Sequence, residues 1–155
     1  MKIAITTILL ALFYINSSTK SENAFYDYYE GIENAKKSNK PILLIFTGQT
    51  CENPIETNEL IENDKEIKLK ISDSFQSIIL YVDDKTKLLE EKKVVRDGKT
   101  VKLRTKGNEW AHIEMSKYKN NVQPLMVIIN SNEEILKQPL IGKITKDDIL
   151  EYLKF

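Results

Sequence analysis

Residues 42–46, Ile-Leu-Leu-Ile-Phe, follow Pro41 as an uninterrupted apolar run that ends at Thr47 and Gly48. A run of that length bounded by turn residues reads as a strand buried on both faces of a sheet. Residues 78–82 form a second such run, and the intervening segment reads as helical. Strand, helix, strand in that order implies a right-handed parallel crossover. Residues 47–50 take the chain out of the sheet and deliver the only cysteine, Cys51, to the mouth of the following helix. A helix N-terminus favours a thiolate over a thiol, so any covalent chemistry in this chain starts there.

The start of that helix can be read two ways. Asn53, Pro54, Ile55 and Glu56 make a compact start signal, with Asn as N-cap, Pro at the first helical position and Glu at the third. That reading puts Cys51 two residues outside the helix. The alternative keeps Cys51 at the helix start with Pro54 in the first turn, where a missing N–H costs nothing. Because proline disfavours the α region for the residue before it, the late start is the expected one.

Elsewhere the periodicities are plain. Phe25, Tyr28, Tyr29, Ile32 and Ala35 share one face of a helix expected over 24–38, which Pro41 closes off. The helix after Cys51 is expected to reach about residue 62, with a second helical piece over 65–71. Asp83 and Asp84 read as a strand end rather than a metal site. Residues 84–109 form a charged insert in which Asp97-Gly98 signals a two-residue hairpin turn. Trp110, Ile113, Met115 and Tyr118 belong to a helix packed on the sheet. His112 lies among them, and a lone histidine without a carboxylate partner is more often structural than a base for Cys51. Residues 125–129 read as a strand, 135–138 as an edge strand, and Thr145 as the cap of a last helix that buries Ile149, Leu150 and Leu153.

Length and charge remove several classes. A chain of 155 residues, 41% hydrophobic and 30% charged, suits one domain. Lys plus Arg and Asp plus Glu are balanced at 23 each, so nothing points to nucleic acid. One cysteine excludes an internal disulfide, and with one histidine no Cys/His cluster has metal-site spacing, so no metal or other cofactor is expected. Residues 1–18 combine Lys2, an apolar stretch over 3–15 and the small polar Asn16, Ser17 and Ser18, the pattern of a secretory signal. The stretch is shorter than the roughly 20 residues that span a bilayer, so export to the periplasm or exterior without a stable membrane anchor is the expectation.

"KPILLIFTGQTCENP", "SIILYVDDKTKLLEE", "KGNEW", "NNVQPLMVIINSNEE" and the terminal "ILEYLKF" occur in an order that resembles the C-terminal thioredoxin domain of DsbD-type thiol:disulfide interchange proteins. The resemblance covers residues 24–155. It implies an α/β thioredoxin fold, a three-layer sandwich with a central mixed β-sheet and helices on both faces. It also implies a cis Gln123–Pro124 bond facing the active-site cysteine, with the backbone of Gln123 open to an extended substrate segment. Without that resemblance, Pro124 reads as an ordinary strand-edge proline. The family's active site is C-x-x-C; here Cys51, Glu52, Asn53 and Pro54 occupy it, and the resolving cysteine is a proline.

Three functions fit that departure. A monothiol exchange protein would use Cys51 as nucleophile and Gln123 and Pro124 as the substrate ledge. Its partners would be protein or peptide thiols and disulfides, and an external thiol would resolve the mixed disulfide, because Pro54 cannot. A redox-inactive module would bind extended peptides in the same groove. A structural subunit of a larger assembly would use the insert as its contact surface.

Overall fold

The computed structural model describes residues 24–50 and 52–154. In chain order the elements are β1 Ala24–Phe25, α1 Tyr28–Ser38, β2 Ile42–Thr47, α2 Glu52–Asn63, α3 Lys65–Ser74, β3 Gln76–Tyr81, β4 Lys87–Arg96, β5 Lys99–Thr105, α4 Lys106–Tyr118, β6 Leu125–Ile129, β7 Leu140–Ile141 and α5 Lys146–Tyr152. Among the described residues, five strands make one mixed sheet in the order β1-β3-β2-β6-β7, while β4 and β5 pair only with each other.

The central strand explains the layering. Every residue of β2 is buried, as a strand covered on both faces requires. Side chains alternate across a sheet, so Ile42, Leu44 and Phe46 pack with Tyr28, Ile32 and Ala35 of α1 and Trp110 and Ile113 of α4. Leu43 and Ile45 face the other way, onto Ile61, Ile67, Ile71, Phe75, Ile149 and Tyr152. Each large side chain so buried contributes about 1.5–3 kcal/mol. β2 runs parallel to β3, with Leu44 opposite Ile78, and antiparallel to β6, with Leu44 opposite Val127. The sheet is mixed and helices cover both faces, the architecture the sequence implies.

Two expectations about the sheet and its edges fail, each because a partner distant in sequence claims the segment. Residues 24–27 are not helical: Asp27 accepts the N–H groups of Tyr29 and Glu30, which caps α1 at Tyr28. Ala24 and Phe25 instead extend the sheet beside Ser77 and Ile78. Phe25 fitted the helical spacing because it packs against the same cluster as the face of α1. The edge strand also lies later than 135–138. Asn130 turns the chain by accepting N–H groups from Asn132 and Glu134, and residues 129 and 135 make only an isolated bridge. Lys137 donates to the carbonyls of Glu151, Tyr152 and Lys154 at the end of α5, where a cation suits the helix dipole. Pairing with β6 resumes beyond Pro139, with Leu140 opposite Met126.

The hairpin turns at Asp97 (φ 50°) and Gly98 (φ 71°), the double positive φ of a two-residue turn. Leu103 and an ion pair between Lys92 and the buried Glu109 fasten it to the body, and Tyr29 donates its hydroxyl to the same Glu109 at 3.0 Å. Thr105 then caps α4.

α4 begins against backbone. A Cβ on Gly107 would lie 2.6–2.7 Å from Val82 O, Asp84 N and Asp84 O, none of which can rotate away. At Gly31 the obstruction is side chain rather than backbone, Ile78 Cγ1 and Cδ1 at 2.5 Å and Phe25 Cβ at 3.2 Å. Gly107→Ala is therefore expected to destabilise the protein by about 1–3 kcal/mol despite alanine's higher helix propensity, and by more than Gly31→Ala. Urea unfolding midpoints of the two variants measure the difference.

Candidate functional site

Cys51 lies outside the described residues, as does the signal-like segment 1–18. The frame on either side of Cys51 is defined. α2 begins at Glu52, the next residue in the chain, and not after an Asn53 cap. Pro54 therefore falls in the first turn, where no N–H is required of it, and its ring is buried. The constraint that proline places on Asn53 is a preference, and the packing of Pro54, Thr57 and Ile61 overrides it.

Two side chains fix the loop that leads out of β2: Asn58, which the sequence reading passed over, and Asp83, which it read only as a strand end. Asn58, on α2, accepts the Thr47 hydroxyl at 2.8 Å and donates its amide to Gly48 O at 3.1 Å. From beyond β3, Asp83 accepts the Gln49 N–H at 2.9 Å and the Thr50 hydroxyl at 3.2 Å through one carboxylate oxygen. Val82 N–H donates to Thr47 O between them. The three residues before Cys51 are thus held from both sides by bonds to specific groups.

Gln123 and Pro124 reach the same end of the sheet through strand register. Phe46 pairs with Leu125 in the antiparallel β2–β6 ladder, which puts Pro124 beside the outgoing end of β2. The Gln123–Pro124 bond is cis. Pro124 is buried, Gln123 is half-buried, and Pro124 O accepts the N–H of Gly142 just after β7, at 2.9 Å. His112 sits half-buried on α4.

A further residue missed by the sequence reading is Glu114, which has no exposed surface. It lies on α4 in one i, i+4 row with Trp110 and Tyr118, a carboxylate at an otherwise aromatic position. That break in the pattern was its available signal. Its oxygens accept Asn120 Nδ2 at 2.7 Å and Gln123 Nε2 at 2.6 Å. Burial pushes the carboxyl up to about 7, against the opposing pull of those two amide hydrogen bonds.

An open depression of about 610 Å³ between α2 and the β7–α5 turn is lined by Glu56, Glu59, Leu60, Asn63, Asp64, Lys143, Ile144 and Thr145. None of the loop-fixing residues lines it. Among the described residues no three His, Cys, Asp or Glu side chains gather as a metal site, and no helix is long and apolar enough to cross a membrane.

No family model and no curated protein matches the sequence. Solved structures do. A thioredoxin from Thermus thermophilus is 15% identical, with a TM-score of 0.58 over 84% of each chain. The C-terminal domain of Neisseria meningitidis DsbD in its oxidised form is 17% identical, with a TM-score of 0.56 over 83% of this chain and 95% of that one. A thioredoxin-fold protein from Helicobacter pylori is 19% identical, with a TM-score of 0.54 over 87% of this chain and 74% of that one. The chain has the thioredoxin fold.

Glu114 also sets a pH dependence. Its carboxyl titrates from 4.5 in the unfolded chain to about 7 in the fold. Between those values the native state holds a proton that the unfolded state has released, so this group's contribution to stability falls as pH rises through the window. Glu114→Gln cannot ionise. Its stability relative to the parent is expected to rise between pH 4.5 and 7 by roughly 2–3 kcal/mol, as measured by urea unfolding at several pH values.

Proposed function

We propose that the chain is an exported thiol:disulfide exchange protein that works with one thiol. The carrying observation is that α2 begins at Glu52, directly after Cys51 in the sequence, at the sheet end where the cis Gln123–Pro124 peptide lies. The Cys51 thiolate attacks one sulfur of a substrate disulfide, forms a mixed disulfide with it, and releases the other sulfur as a thiolate. An external thiolate then attacks the substrate sulfur of that mixed disulfide. Cys51 leaves as the thiolate, and the external thiol and the substrate are joined. Two electrons have passed from the external thiols to the substrate after a second such exchange, and Cys51 is unchanged.

A helix N-terminus stabilises a thiolate by about 0.3–1 kcal/mol, less than one pKa unit. Glu52 opposes this, but it is exposed and screened by solvent. A small downward shift suits the reaction, because the best attacking thiol has a pKa near ambient pH. The backbone of Gln123 would pair with an extended stretch of the substrate, and the signal-like residues 1–18 would take the protein to a compartment where such disulfides form. Partners would be protein or peptide thiols and disulfides.

Pro54 supports a second reading, a redox-inactive module that holds extended peptides on the same ledge. Exchange kinetics separate the two. The protein is expected to accelerate transfer between a small thiol and a peptide disulfide, and Cys51→Ser to abolish the acceleration. Pro54→Cys should reduce one equivalent of disulfide without an external resolver, by forming an intrachain bond. Rates equal with and without the protein, together with peptide binding that survives Cys51→Ser and is lost in Pro124→Ala, would leave only the binding module.

A further inference from the structure

Residues 119–124, which lead from α4 into the cis peptide, are secured by one carboxylate. Lys119 ends α4 in the left-handed region at φ 55°. The Asn120 amide nitrogen then donates to Glu114 Oε1 at 2.7 Å and to Val122 O at 2.8 Å. Gln123 Nε2 donates to the other oxygen, Glu114 Oε2, at 2.6 Å. The bonds that the Asn120 and Gln123 side chains make to α4 both end on this single buried side chain.

The core around Glu114 does not call for a charge. Its row partner Trp110 is itself 1% exposed, and an apolar residue at 114 would be ordinary packing. A buried carboxylate without a cation is costly, and burial is the leading cause of its raised pKa. What offsets that cost is the pair of amides from the loop. We propose that Glu114 is the positioning residue for peptide capture: it keeps the Gln123 side chain turned toward α4, so that the course of 119–124 presents the Gln123 backbone to an extended peptide. The inference rests on the reading of Gln123 and Pro124 as the ledge, and it adds the group that sets the ledge.

The chemistry distinguishes substitutions at 114. Leucine leaves both amides without their acceptor. Glutamine keeps an acceptor for Asn120, whose amide hydrogens are committed to positions 114 and 122. The amide of Gln123 turns over to accept from the new NH₂ group.

The test uses the full chain and two thiol-reactive probes. One is an extended peptide whose cysteine is disulfide-bonded to thionitrobenzoate. Attack by the Cys51 thiolate on the peptide sulfur forms the Cys51–peptide disulfide and releases coloured thionitrobenzoate. The other is the symmetrical dithiobis-nitrobenzoate, which has no peptide to capture. The ratio of the two rates reads capture apart from thiol reactivity. Glu114→Leu is expected to lower the ratio about tenfold, Asn120→Ala about threefold, and Glu114→Gln to stay within about threefold of the parent. Asn120→Ala carries the test if the leucine variant does not fold. An unchanged ratio in the folded Glu114→Leu and Asn120→Ala variants, with Pro124→Ala still lowering it, overturns the inference and leaves the ledge standing. An unchanged ratio in Pro124→Ala as well overturns the ledge and the inference together.

Discussion

The register of β2 against β6 brings together the described parts of the candidate site. Phe46 opposite Leu125 sets the end of β2, from which the chain runs to Cys51, beside the cis peptide that opens β6. A slip of one residue would turn Leu43 and Ile45 toward the α1–α4 layer and Leu44 and Phe46 toward the α3–α5 layer. Both layers are closely filled, with all six residues of β2 and all five of β6 buried, so the register is held by the whole core. The site is placed by apolar packing although its own residues are largely polar.

Polar groups then refine that placement over short distances. Asn58 and Asp83 fasten the outgoing loop from opposite sides, and Glu114 fastens the loop that enters β6. These bonds are few, and a typical one contributes about 1 kcal/mol net. They matter because each ends on a specific atom of a loop, where packing constrains little. Glu114 differs from the others in being fully buried, with two side-chain amides as its partners.

Much of this was legible in the sequence. The apolar runs of β2, β3 and β6, the Asp97-Gly98 turn and the Thr145 cap each state a local rule that the fold obeys. The misread places are those where a distant partner decides. Ala24 and Phe25 follow helical spacing until the open edge of β3 claims them, and residues 135–138 look like a strand until Lys137 is committed to the end of α5. Asn53 has the chemistry of a cap, yet α2 starts at Glu52, two residues before the Pro54 start that such a cap implies. Asn58, Asp83 and Glu114 act through partners 10 to 34 positions away or through a loop whose path the sequence does not state, and no local pattern marks two of the three.

The proposal turns on Cys51, the residue before α2 in the sequence, being an activated nucleophile, and the rate of its alkylation by iodoacetamide across pH tests this most directly. The account predicts a midpoint in the native protein below that in the denatured chain, by up to roughly one pH unit, with the native thiolate freely reactive. A native midpoint at or above the denatured one, or a native thiol that does not react, would contradict it.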